Sequence, residues 1–494
     1  MERVNLKEAK GITLVALVIT VIILLILAGV ALSLVIGENG LIAKSKQGVG
    51  VYKQSAENET EKLDSFDEEF RSLLKEQPKF TTVANAPDIR GFNKNNTYYV
   101  AWDITSSPYN INESTLISGI APSNWYDYTE GVNKWANVKT TGGGNDCYWV
   151  WIPRYAYKVP TKGNTAETIE VKFLQGKTKI PIGETEEIIN TTPTPGTWVI
   201  HPAFTNEGNG GLGELTGIWV AKYEASSNSS SVVENPTASQ LAIDGGSDAD
   251  TDLKVRVKPN VTSWRGINVN NIFTVCRNLT TSGNSLENTS NLDSHMMKNT
   301  EWGAVAYLSR SVYGINSEVW NNPYYNNTTN YSPITGLCGK GENKQCLSTT
   351  NLAETCKYNE AGGENASTTG NVYGIYDMAG GAWEYTAAIY TGGTSNDNRN
   401  KLWEPSNAKY VDQYTAYNNT KYGDAVYETS SSGSSTTGSW DATNSYFPNS
   451  NYPVFIRGGN ANDGSFAGVF AFNSFAGGAS TGYSFRPVVL SSQP

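Results

Sequence analysis

From about residue 80 onward the chain shows no sustained helical period. Short runs rich in Val, Ile, Tyr and Trp alternate with Gly, Asn and Ser, and they do so to the C-terminus. A chain of that kind folds through many turns and short strands. Only 17% of its residues are charged, against 48 Gly, 28 Tyr and 13 Trp, so its core is expected to be large and aromatic. The 494 residues leave room for two or three domains. Residues 146–159 and 216–226 read as strands. Residues 296–314 read as a helix, because Trp302, Val305, Ala306 and Leu308 recur at helical spacing. Residues 371–390 read as a turn followed by a strand or loop carrying Trp383 and Glu384. Between these lie insertions of loop composition, 227–252, 315–370 and 391–450. No repeat of 20–50 residues is present, which argues against solenoids and propellers.

The net charge is -10, with no Lys/Arg cluster past residue 80, so nucleic acid is not an expected partner. His201 and His295 are the only histidines, and none of the five cysteines sits in a CxxC pair. Neither a metal centre nor a cofactor is expected. Cys338, Cys346 and Cys356 lie close together in a loop-rich stretch, and both a disulfide and a set of unpaired thiols fit that spacing.

The N-terminus, "MERVNLKEAKGITLVALVITVIILLILAGVALSLVIGENG", carries an uncharged run of 25 residues, 12–36, long enough as a helix to cross a bilayer. Arg3, Lys7 and Lys10 precede it, which would keep that end in the cytoplasm. Lys10-Gly11-Ile12-Thr13-Leu14 comes before the apolar run, where a secretory signal would have its cleavage site after it. This arrangement resembles the type IV prepilin leader of bacteria. The resemblance implies a leader over 1–11, a cut between Gly11 and Ile12, and a retained pilin-like transmembrane helix and stalk over 12–77. It further implies a place on the bacterial surface, membrane-anchored or in a filament with other pilin subunits. The chain departs from the family at its fifth mature position, which is Ala16 where a Glu is usual.

Four landmarks follow in order: Glu301-Trp302, Gly374 through Asp377-Met378 to Trp383-Glu384, Arg457-Gly458-Gly459, and Phe485-Arg486-Pro487. They resemble the formylglycine-generating-enzyme branch of the C-type lectin fold. The fold expected is therefore α+β: an N-terminal pilin-type transmembrane helix, a linker or domain entry over 78–119, and a large, loop-rich C-type lectin-like domain over 120–494. The enzymes of that branch use a cysteine pair after "RGG", whereas this chain has no Cys beyond Cys356. An oxidase of that type is thus the weakest of three readings, and the chain is not expected to be an enzyme.

The stretch 457–487 interleaves firm signals with filler of Asn, Asp, Ser, Gly, Ala, Thr, Phe and Tyr. Residues 460–483 contain no Lys, Glu, Gln, Met or Trp, the five types that randomising the first two bases of an Asn codon cannot produce. Together with "RGG", "AGVF" and "SFRP", this resembles the variable proteins of diversity-generating retroelements. The resemblance implies a surface-displayed, receptor-like binder of a protein or glycan on another cell or phage, with a minor pilin bearing a structural head as the alternative. The contact residues it implies are Asn460, Asn462, Asp463, Ser465, Phe466, Ala471, Asn473, Ser474, Phe475, Ala476, Gly478, Ser480, Thr481, Gly482 and Tyr483. Phe466, Phe475 and Tyr483 are the expected aromatic anchors, while Arg457, Phe470, Phe485 and Arg486 are expected to hold the backbone.

Overall fold

The computed structural model describes residues 18–27, 84–189, 193–228, 253–289, 291–323, 333–339, 355–418 and 421–491. The chain divides into two compact units, Met1–Gln77 and Pro78–Pro494.

The first unit corrects the expected fold. Of the stretch 12–77, the described part is one helix, 18–27. Among the described residues no helix is long and apolar enough to cross a membrane. The pilin-type transmembrane helix is therefore not part of the fold as described, which is one of mixed sheets with few helices. The leader 1–11 and the processing pair Gly11 and Ile12 lie outside the described residues.

The second unit is built on two larger sheets. The first has seven strands in the order Leu292–Met296, Pro487–Ser491, Gly217–Ala221, Cys147–Pro153, Asn137–Thr140, Thr97–Asp103, Asn110–Thr115. Every neighbouring pair in it is antiparallel. Cys147–Pro153 is buried along its whole length, which is why "CYWVWIP" is apolar without alternation. The run 146–159 breaks at Arg154, whose guanidinium is buried against Glu214 (2.8 Å) and the Leu215 carbonyl (3.3 Å). Beyond the break, Tyr155–Lys158 joins a separate three-stranded sheet with Val171–Phe173 and Trp198–Ile200.

The second large sheet carries the C-terminal segment. Trp383–Tyr390 pairs antiparallel with Val454–Arg457, which pairs antiparallel with Phe472–Phe475. Tyr483–Phe485 runs parallel to the start of Trp383–Tyr390, and Asp412–Tyr414 runs parallel to its end. Two short strands, Ser445–Tyr446 and Ser434–Ser435, complete it beyond Phe472.

Aromatic side chains stand in for regular structure. Trp102, Trp135, Trp149, Trp151, Trp219 and Trp302 are among the largest fully buried groups. Several of their ring N–H groups also serve irregular backbone: Trp219 donates to the Asp88 carbonyl at 2.7 Å and Trp302 to that of Val469 at 2.8 Å. Loop carbonyls that no ladder reaches are satisfied this way. The helix Asn299–Ser309 is buried on all sides, with Glu301 accepting from the Lys298 N–H at its start (2.9 Å). In the hairpin of Leu337–Gly339 with Thr355–Lys357, Cys338 stands opposite Cys356; Cys346 lies outside the described residues.

Buried ionisable groups tie stability to pH. Burial, and Asp424 beside it, push Glu428 up to about 8, even though Tyr157 and Tyr307 donate to it at 2.9 and 2.8 Å. Burial pushes His295 down, but Glu301 and Asp293, at 2.8 and 3.1 Å, outweigh it and hold it above its ordinary value. Burial drives His201 down to about 3. A carboxyl with a raised folded pKa keeps its proton in the native state, so stability falls as pH climbs from its unfolded value to its folded one. His295 contributes stability below its unfolded pKa that is lost as pH rises through its folded one, whereas His201 contributes stability that is lost on acidification below about 6.5. The melting temperature should therefore fall between pH 6.5 and 8.5, and Glu428→Gln should flatten that slope. A melting temperature that rises over this interval would overturn the assignment.

Candidate functional site

The sequence positions the 457–487 segment through its ends. Gly458 and Gly459 take φ of +88° and +76°, a region other residues rarely adopt. A Cβ on Gly459 would also stand 2.4 Å from Ala467 Cα. Arg457 is fully buried, and its fork donates to the carbonyls of Ala471 (3.1 Å), Asp424 (2.9 Å) and Ala425 (3.0 Å). Burial lowers its pKa to about 10, and nearby Asp424 opposes that shift. At the other end, buried Arg486 pairs with Glu384 at 2.6 Å and donates to the carbonyls of Ala221 (2.7 Å) and Tyr376 (2.9 Å). Burial and Asp377 push Glu384 up, against the pull of Arg486. Phe470 and Phe485 are buried, packed on Trp440 and Trp264.

Between these ends the main chain is held by its carbonyls. Arg399 donates to Ala476, the Val269 N–H to Gly477 (3.0 Å) and the Tyr385 hydroxyl to Gly478 (2.8 Å). The Gly266 N–H donates to Ser480 (2.8 Å), Arg265 to Thr481 (2.7 Å) and the Trp383 N–H to Gly482 (3.0 Å). Six carbonyls in seven residues thus accept from donors outside the segment. Since every acceptor is a main-chain atom, the hold does not rest on side-chain atoms of 476–482; only Gly477, at φ +85° with Arg399 Cβ 3.0 Å from where its own Cβ would stand, is fixed in type.

The side chains sort by exposure. Asn462, Ser465, Phe466 and Thr481 are exposed. Asn460, Asp463, Asn473, Ser474, Phe475, Ala476, Gly478, Ser480, Gly482 and Tyr483 are half-buried. Ala471 is a correction: it is fully buried in the main core, because it lies just before the strand Phe472–Phe475, where Arg457 and the Gly458 N–H both donate to its carbonyl, and it presents nothing to a ligand. The aromatics also divide. Phe475 packs edge-on against Tyr483 with ring centroids 4.5 Å apart, and Tyr483 rests on Tyr385 at 5.3 Å. Phe466 stands on the Gly464–Phe466 turn, apart from that cluster.

Asp463 is engaged rather than open. It accepts from the Asn460 N–H (2.8 Å) and from the Trp383 indole, while burial raises its pKa. Tyr483 is pushed up to about 12, first by burial and then by Asp463 and Tyr452, so it is a neutral phenol. Among the described residues no cluster of His, Cys, Asp and Glu is arranged to hold a metal ion.

Beside the segment lies a groove of about 420 Å³. Asn473, Ser474 and Phe475 form one wall; Ser434, Tyr446, Phe447, Asn449 and Tyr452 form the other. It exists because the parallel strands Ser445–Tyr446 and Phe472–Phe475 share one bridge, Ser445 to Phe472, and then part. Tyr452 is 47% exposed and lies nearly parallel to Phe475 (18°, centroids 6.1 Å apart). Sequence reasoning missed this second wall, which lies at the end of an insertion read as loop. The signal was present in "NSYFPNSNYPVF", where Asn and Ser alternate with Tyr and Phe, the composition of recognition loops.

The groove's lining offers hydroxyls, amides and aromatic rings. No known family model matches the chain, and no curated protein matches it.

Proposed function

We propose that the chain is a receptor-like ligand-binding protein, not an enzyme, and that residues 460–483 form its recognition face. Outside the buried run 467–472 and Gly477, their side chains are open to exchange, as in the variable proteins of diversity-generating retroelements that the segment resembles. Its ligand is a protein or glycan on another cell or a phage. One observation carries this reading: the row of tethered carbonyls from Ala476 to Gly482. A surface that must survive arbitrary substitution needs its backbone fixed by atoms that substitution cannot remove, and recognition loops on a rigid frame meet that need.

The test is a library randomised at Asn462, Ser465, Ser474 and Thr481. Most members should fold with stabilities within about 0.5 kcal/mol per substitution, while binding to captured targets changes from member to member. Arg265→Ala and Arg399→Ala, which remove tethers, should lower the melting temperature more than any exposed substitution. A library that mostly unfolds would sink the reading. So would genomic DNA next to the coding region that lacks a reverse transcriptase gene and a near-copy of the 3′ coding segment.

A further inference from the structure

We propose that the groove between 473–475 and 434–452 takes a neutral, hydroxyl-rich ligand: a segment of an uncharged glycan lying against the Tyr452 ring. This rests on the reading of 460–483 as the recognition face and names the chemistry that face is built for.

Three features of the groove point to this class. First, its lining contains no charged side chain, so a charged ligand group would lose its water without gaining a counter-charge. Second, its polar groups are amides and hydroxyls, from Ser434, Asn449, Asn473 and Ser474. Each of these both donates and accepts, as sugar hydroxyls do. Third, half-exposed Tyr452 lies nearly parallel to Phe475. The two rings offer an aromatic face of the kind that packs on the C–H side of a pyranose, with the electron-rich face toward the polarised C–H groups.

The main chain argues against the competing occupant, an extended peptide. A peptide adding to the edge of Phe472–Phe475 would need that strand's outward donors. The Phe472 N–H already donates to the Asn444 carbonyl (3.0 Å), and the Ser474 N–H to the Asn473 side chain (2.8 Å). The edge is closed to another strand, while the half-buried Asn473 and Ser474 keep the Asn473 amide N–H groups and the Ser474 hydroxyl beside the groove.

The two walls then divide the work. Tyr452 and Asn449 belong to the stretch before the "RGG" landmark and supply a constant platform. Residues 473–475 lie within the exchangeable segment and choose among sugars. The Asn449 side-chain oxygen Oδ1 accepts from the N–H groups of Asn451 (2.9 Å) and Tyr452 (3.1 Å), which locks the turn that presents the Tyr452 ring and leaves its Nδ2 to a ligand.

The full chain is applied to an array carrying neutral oligosaccharides, sialylated and sulfated oligosaccharides, and peptides. Neutral oligosaccharides should be retained. Tyr452→Ala should weaken that binding by about tenfold or more, Tyr452→Trp should keep it, and Ser474→Thr should change which neutral sugars are held. Melting curves confirm that each variant is folded, as expected for positions at the surface. Retention of peptides or of acidic glycans alone, or no retention of neutral sugars, overturns the glycan assignment. If peptide retention is then lost in Phe475→Ser, the recognition face still stands. If retention of any probe survives both Tyr452→Ala and Phe475→Ser, the recognition face falls with the glycan.

Discussion

Replacing Arg486 by Ala should destabilise the second unit by about 3–5 kcal/mol, the usual cost of removing one partner from a buried ion pair. The side chain is fully buried and makes the 2.6 Å contact to Glu384. Its loss leaves a buried carboxylate with Asp377 beside it and without its cation, and also strands the carbonyls of Ala221 and Tyr376. Those carbonyls belong to the first sheet and to the turn before Trp383, so the arginine ties both sheets to the chain's last strand. Denaturant unfolding measures the loss. The double variant Arg486→Met with Glu384→Gln should recover part of it, since the uncompensated charge is then gone as well. A single-variant loss below about 1 kcal/mol would show the pair to be dispensable.

What could be read from the sequence follows from how local each signal is. Arg457-Gly458-Gly459 and Phe485-Arg486-Pro487 were legible as structural, because an Arg beside Gly or Pro within an uncharged stretch has few uses other than as a buried staple. The helix read over 296–314 is found as Asn299–Ser309; its apolar spacing is local, and its ends are set by Glu301 at the start and Arg310 past the close. The helix Val269–Arg277 was not read. Its apolar residues Val269, Ile272, Phe273 and Cys276 do recur at helical spacing, but Asn270 and Asn271 are buried beside them, and Asn270 is there for distant partners, the Asp397 carbonyl and Asn400. The insertion 391–450 looked structureless for a related reason. It is ordered by contacts distant in sequence, such as the Ser439 hydroxyl on the carbonyls of Thr429 and Phe470. The groove wall it ends in was invisible for the same cause. At the N-terminus, 25 uncharged residues invited a membrane-spanning helix, but length without charge is a permissive signal, and among the described residues no helix is long and apolar enough to cross a membrane. Within the candidate site only Asn462, Ser465, Phe466 and Thr481 are exposed and the others, Ala471 aside, half-buried, Phe475 and Tyr483 among them because each ring covers the other; Ala471 is buried, its small size mistaken for exchangeability.

The contrast between fixed and exchangeable aromatics supplies the second large effect. Phe485→Ala should cost about 3–5 kcal/mol, as for a buried Phe elsewhere, because its ring is fully buried against Trp264 and belongs to the main core. Phe466→Ser should stay within about 0.5 kcal/mol, since that ring is 39% exposed on a turn. Phe475→Ser and Tyr483→Ser should fall between the two, at about 1–2 kcal/mol each, because each ring covers the other and Tyr483 covers Tyr385. Their effects should not add: removing one ring already uncovers the other, so the double variant should lose less than the sum. Chemical unfolding of the four single variants and the double variant gives the order. If Phe475→Ser or Tyr483→Ser costs as much as Phe485→Ala, those rings are core, and 473–483 cannot be exchanged without loss of the fold. If instead the order holds, the segment tolerates change because its carbonyls, not its side chains, carry the fold.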